Sequence, residues 1–150
     1  MKTILLSFVA LFFCVGLVSA QRDKPILGQN GQQIRVDKGW EFLTYVGDKN
    51  DKAKYLYSYQ TSSVIKIGPN SFKYWGKEKS YEINPVINYS LVLNEVRCRT
   101  RESRITRIIE YKANDTMMND VVYPDAVFKD VVPESNGLEI LLIVCKAFDK

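Results

Sequence analysis

From Trp40 onward, apolar and aromatic residues recur in short runs separated by turn-forming clusters, the signature of strands rather than of long helices. Trp40 to Val46 is rich in β-formers, Gly47-Asp48-Lys49-Asn50-Asp51-Lys52 is a turn, and Tyr55-Leu56-Tyr57-Ser58-Tyr59 follows. This pattern predicts a hairpin. A second turn at Gly68-Pro69-Asn70 leads into a strand over Phe72 to Lys77, and a long strand runs from Tyr89 to Cys98. After a tight charged turn at Arg101-Glu102-Ser103, Ile105 to Tyr111 reads as a further strand. Lys112 to Pro133 has no sustained period and is expected as a long connection.

The period then changes. Ser135-Asn136-Gly137 supplies N-cap residues, Glu139 falls in the first turn, and Leu138, Leu141, Leu142 and Cys145 recur at helical spacing, with Lys146 near the end. The expected fold is α+β: a small antiparallel sheet of five to six strands with one C-terminal helix docked on it.

The N-terminus follows a different logic. Met1-Lys2 precedes an apolar run from Ile4 to Val18, and Val18-Ser19-Ala20 places small residues before polar Gln21. A basic start, a short apolar stretch and a small-residue cut site predict a secretory signal over residues 1–20. Phe13 before Cys14 is not the small residue that a lipid anchor requires, and no later segment has the roughly 18 apolar residues of a spanning helix. The reading is therefore an exported protein without a lipid anchor or transmembrane segment. Residues 21–38, with Gly28, Gly31 and several glutamines, are expected as a flexible arm, and 39–150 as the folded domain.

Loss of the signal removes Cys14 and leaves Cys98 and Cys145 in an oxidising compartment, where we expect them to pair. Such a bridge staples the helix to the long strand. The net charge of +4 falls by one with Lys2, a mild excess that points to solubility and acidic surfaces rather than to nucleic acid. The chain has no histidine, which excludes Ser-His and Cys-His nucleophiles and every His-containing metal site. No cofactor motif is present. Ser63-Val64-Ile65-Lys66 fits the Ser-x-x-Lys pattern of penicillin-binding enzymes, but the companion motifs are missing and the chain is too short for that fold.

Trp40 opening a strand, Tyr55 to Tyr59, Ser62-Ser63-Val64, Tyr74-Trp75, Glu95-Val96-Arg97-Cys98 with Arg101, Arg104 and Tyr111, and Val132-Pro133-Glu134-Ser135 before Val144-Cys145 together carry a resemblance. This order resembles the surface-adhesin protein E-like domain of Gram-negative bacteria over about Trp40 to Lys146. Phe128 stands where that family usually has tryptophan. The resemblance implies a small sheet with a C-terminal helix and one disulfide, and a binding role toward host extracellular-matrix and plasma proteins.

Two surfaces are candidates for such binding. Arg97, Arg99, Arg101, Arg104 and Arg107 lie close together, and strand alternation is expected to place Arg97, Arg99 and Arg101 on the face opposite Cys98. Guanidinium groups bind carboxylates and sulfates well, so this ridge suits an acidic partner. The structural alternative is cross-strand pairing with Glu95, Glu102 and Glu110. Tyr55, Tyr57 and Tyr59 share a strand face, and Tyr45, Tyr74, Trp75 and Tyr89 come from neighbouring strands; exposed, they form a recognition surface, and buried, they are core. The function expected is a non-enzymatic, adhesin-like domain recognising a host extracellular protein. The alternative is a periplasmic inhibitor or immunity protein that blocks another exported protein.

Overall fold

The computed structural model describes residues 26–148 except Asn30, Asp48 and Asp51. The expected signal over 1–20 and the first residues of the arm lie outside the described residues. The chain folds into one antiparallel sheet and one helix: β1 (Glu41–Gly47), β2 (Ala53–Tyr59), a 3-10 turn (Thr61–Ser63), β3 (Ile65–Gly68), β4 (Ser71–Ser80), β5 (Tyr89–Arg97), β6 (Glu102–Tyr111), β7 (Met117–Val122), β8 (Lys129–Asp130) and α1 (Asn136–Phe148). The strands run β1-β2-β4-β5-β6-β7 across the sheet, with β3 continuing the edge of β4 and β8 that of β6. The α+β architecture is as expected, but the sheet has eight strands instead of five or six. The additional strands are short or lie at an edge: β3 pairs only with β4, and β7 and β8 fall in the stretch read as a connection.

The sheet has a helix face and an open face, set by alternation along β4. Phe72, Tyr74 and Gly76 are buried beneath the helix layer, while Lys73, Trp75, Lys77 and Lys79 point the other way. Register carries this division across the sheet, because residues directly opposite in an antiparallel pair share a face. Phe72 therefore lies beside Val96, and Tyr59 beside Gly76. On β1 a register shift between Phe42 and Thr44 lets Leu43 and Thr44 both be buried. Leu43 joins the core, and Thr44 Oγ1 donates to Glu139 Oε2 at 3.0 Å, tying the helix start to the edge strand.

Helix α1 docks through Leu141, Val144, Cys145 and Phe148, spaced i, i+3, i+4, i+7. Leu142, expected on the buried face, is 49% exposed because that spacing turns it outward. Tyr59 meets both Tyr74 and Phe148 edge to face, at 6.3 and 5.8 Å between ring centres, so the aromatic sequence of β2 and β4 is in part the packing surface for the helix. Cys98 and Cys145 are bonded, with Cα atoms 5.6 Å apart, and fasten the end of β5 to the last turn of α1.

Ser135 caps the helix as its sequence position predicts. Its hydroxyl accepts from the Leu138 amide at 3.2 Å and donates to the Val132 carbonyl at 2.6 Å. Ser135→Ala should lower stability by about 1 kcal/mol, and Ser135→Asn, which keeps an acceptor, should recover most of it. Chemical denaturation of the three proteins checks this, and an alanine variant as stable as wild type would remove the cap from the account.

Two sequence expectations need correction, the β5–β6 turn and the stretch from Lys112 to Pro133. The β5–β6 turn is Cys98–Arg101 and not Arg101–Ser103, because Arg97 pairs with Glu102. Arg101 closes the loop in the left-handed region at φ 56°, a conformation that non-glycine residues seldom adopt. The stretch from Lys112 to Pro133 is not simply a connection, since it contributes β7 and β8. Of the segment expected as a loose arm, residues 26–38 make defined bonds: Ala53 N–H donates to the Leu27 carbonyl, and Asp37 reaches two lysines of β4.

Candidate functional site

The moved turn redistributes the arginines. Arg97 ends β5, Arg99 and Arg101 sit in the loop, and Arg104 and Arg107 belong to β6. They do not form one alternating ridge. Arg97 and Arg104 lie on the open face, opposite Glu102 and Glu95 respectively.

Each strand arginine is neutralised by a neighbour. Arg104 donates from Nε and Nη2 to Glu95 Oε2, at 2.8 and 2.6 Å, and Lys73 Nζ lies 3.3 Å from the other carboxylate oxygen. The Glu95 side chain is only 8% exposed, so it is a carboxylate held between two cations. Burial raises its pKa, but the hydrogen bonds and charges of Arg104 and Lys73 outweigh that and keep it below the ordinary glutamate value. Arg97 Nη1 lies 3.4 Å from Glu102 Oε2, which also accepts from Thr100 Oγ1 at 2.5 Å. Those two donors, Thr100 foremost, lower the Glu102 pKa. Arg107 grips Asp120 with two parallel bonds of 2.8 and 2.6 Å.

Phe128 is a member of this cluster that arginine spacing does not reveal. The guanidinium carbons of Arg97 and Arg104 lie 3.8 and 4.5 Å from its ring centre. Arg104 Nη1 also donates to the Ala126 carbonyl at 3.0 Å, so these arginines hold the segment ahead of β8 against the sheet. A flat ring at Phe128 suits stacking on guanidinium.

Arg99 and Arg101 differ from the other three. Both are exposed, and among the described residues neither side chain has an ion pair or hydrogen bond. The cross-strand alternative thus accounts for Arg97, Arg104 and Arg107, with Asp120 replacing Glu110 as the third acid; Glu110 instead accepts from Asn119 Nδ2 at 2.6 Å. Among the described residues, Arg99 and Arg101 are left at the loop without a carboxylate.

The tyrosines separate from them. Tyr55, Tyr57 and Tyr59 lie on the helix face, opposite Ser80, Glu78 and Gly76. Tyr59 is core, at 7% exposure. Tyr57 is half-buried, and burial first, then Glu78 beside its hydroxyl, pushes its pKa up. Tyr55 is hydrogen-bonded to Glu82, which raises its pKa. Tyr89 and Tyr111 stack on the open face with centres 4.6 Å apart. No joint surface of Arg97, Arg104 and the β2 tyrosines exists, because the sheet lies between them. Ser63 has a structural role: its hydroxyl donates to the Gln60 carbonyl at 2.6 Å and accepts from the Trp75 amide at 2.9 Å. Among the described residues no helix is long and apolar enough to cross a membrane.

No protein-family model matches the chain, and no curated protein matches it. Among solved structures it is similar to crystal form II of Haemophilus influenzae protein E, with a TM-score of 0.53 at 12% sequence identity, over 77% of this chain and 94% of that one. A sheet with one C-terminal helix is the fold that the sequence resemblance implied, and this chain has a protein E-like fold.

Proposed function

We propose that this chain is an exported, non-enzymatic binding domain that recognises an acidic protein through the β5–β6 loop, with Arg99 and Arg101 as the contact cations. The observation that carries this reading is selective pairing: Arg97, Arg104 and Arg107 have carboxylates of their own, whereas the two loop arginines are exposed and unmatched among the described residues. Cations left without internal partners pay no penalty of separation when a carboxylate from another molecule arrives. The disulfide fixes one end of the loop at Cys98, and the Val131 amide binds the Arg101 carbonyl at 3.0 Å, so the loop backbone is held at both sides. A held loop loses less conformational freedom on binding. The family resemblance supplies the partner class, an extracellular host protein.

Arg99→Ser/Arg101→Ser should leave the melting temperature unchanged and weaken capture on an immobilised preparation of extracellular-matrix proteins by roughly tenfold, with most of the salt sensitivity lost. Superimposable binding curves would remove the loop from the proposal. Protease shaving of intact source cells tests the location separately. Digestion of the protein supports recognition of an external partner; full protection with release from the periplasm sinks the adhesin reading and favours the periplasmic inhibitor.

A further inference from the structure

The open face carries a row of cations, and the acids that neutralise them come from two kinds of place. Glu95 serves Lys73 and Arg104, and Glu102 serves Arg97; each acid stands directly opposite the residues it pairs with. Asp120 serves Arg107 from the neighbouring strand β7, where it stands opposite Ile109. These three carboxylates are fixed by the sheet itself. The acid at Lys77 and Lys79 is not.

Lys77 and Lys79 are two positions apart on β4 and point to the same side. Between them lies Asp37, 2.6 Å from Lys77 Nζ and 3.3 Å from Lys79 Nζ. Asp37 belongs to the segment 26–40, outside the strands of the sheet, which is pinned at its far end where Ala53 N–H donates to the Leu27 carbonyl at 2.8 Å. The same segment brings in Trp40, whose ring centre is 5.6 Å from Lys77 Nζ; the Tyr89 ring, part of the sheet, is 4.2 Å from that nitrogen. Lys77 is only 14% exposed, so water serves its charge poorly, and one carboxylate faces two ammonium groups.

We propose that Lys77 and Lys79 form an anion site for an acidic protein segment, and that residues 26–40 are a strap filling it from within the same chain. Asp37 and Trp40 occupy the places that a carboxylate and a nearby aromatic side chain of the partner take when it binds. The site lies on the open face and does not depend on the Arg99–Arg101 loop. A tethered occupant competes at high effective concentration, so the intact strap suppresses binding in trans, and weakening it raises the apparent affinity.

The test uses a fluorescein-labelled peptide of six glutamates and one tryptophan as the probe, with full-length mature protein carrying Arg99→Ser and Arg101→Ser so that the loop makes no contribution. Asp37→Asn in that background should bind the peptide at least about tenfold more tightly than its parent. Adding Lys77→Gln and Lys79→Gln should abolish the gain, and raising the salt should weaken the tight form. Equal affinity with and without Asp37, or a gain that survives loss of both lysines, overturns the proposal. Hydrogen exchange gives an independent reading with the native strap: saturating peptide should speed exchange at the Ala53 and Ile34 amides, which donate to strap carbonyls. Unchanged exchange at both amides under bound peptide also overturns it.

Discussion

Replacing Cys98 by serine, together with Cys145 to avoid a stray thiol, should cost about 4 kcal/mol of stability and lower the melting temperature by roughly 15 °C. The bond spans a sequence separation of 47 residues, so the open chain gains the freedom of a long loop. It also joins the two ends of the packing problem, the last residues of β5 and the last turn of α1. The core contacts of Leu141, Val144 and Phe148 remain without it, and the helix should stay docked at room temperature. Far-UV circular dichroism should therefore match wild type at 25 °C, while thermal and denaturant melts separate the two proteins. Reductant should bring wild type to the variant's midpoint. Coincident melts under oxidising conditions would show that the bridge adds no stability, and a variant unfolded at 25 °C would show that the apolar contacts of α1 are weaker than their burial implies.

The parts of this fold that were legible in the sequence are those where one face is buried. β4 alternates Phe72, Tyr74 and Gly76 with Lys73, Trp75 and Lys77, so its pattern places it. β2 puts Tyr55, Tyr57 and Tyr59 on the helix face but buries Leu56 and Ser58 on the other, so its β-forming residues and the turn before it place it, not a one-sided period. The helix was legible from its cap and its period. β7 was not, because Met117–Val122 is an edge strand with five of its six residues exposed, and no core imposes a period of two on it. β8 has only two residues and is defined by its partner, not by its own sequence.

The site was less legible for a reason of register. Arg97 and Glu102 close a four-residue loop in which Arg101, a non-glycine residue, takes the left-handed conformation that sequence rules reserve mainly for glycine and asparagine. A turn placed at 101–103 sets Arg104 opposite Thr100; the observed turn sets it opposite Glu95. Every cross-strand partner follows from that shift, so the arginines could be picked out by composition but not assigned to partners. Phe128 and Asp37 join the open face from outside the central strands, and local spacing carries no trace of either contact.

Glu95 is where that register has its largest electrostatic consequence. Glu95→Gln should destabilise the protein by about 2 kcal/mol at neutral pH, below the range for a fully buried pair because Lys73 and Arg104 are each about one-third exposed. The pH dependence gives the sharper result. The folded-state pKa of Glu95 lies below its ordinary value, so its contribution is complete above the unfolded pKa of about 4.3 and is lost as pH falls through the lower folded value. Protonated glutamate then resembles the glutamine that replaced it. The stability difference between wild type and Glu95→Gln should accordingly hold constant from neutral pH down to about pH 5 and shrink toward zero below about pH 4. Denaturant titrations at a series of pH values measure it. A difference that persists undiminished into acid would mean that shape, not charge, decides the position, and the two cations would then need another account of how they tolerate the sheet.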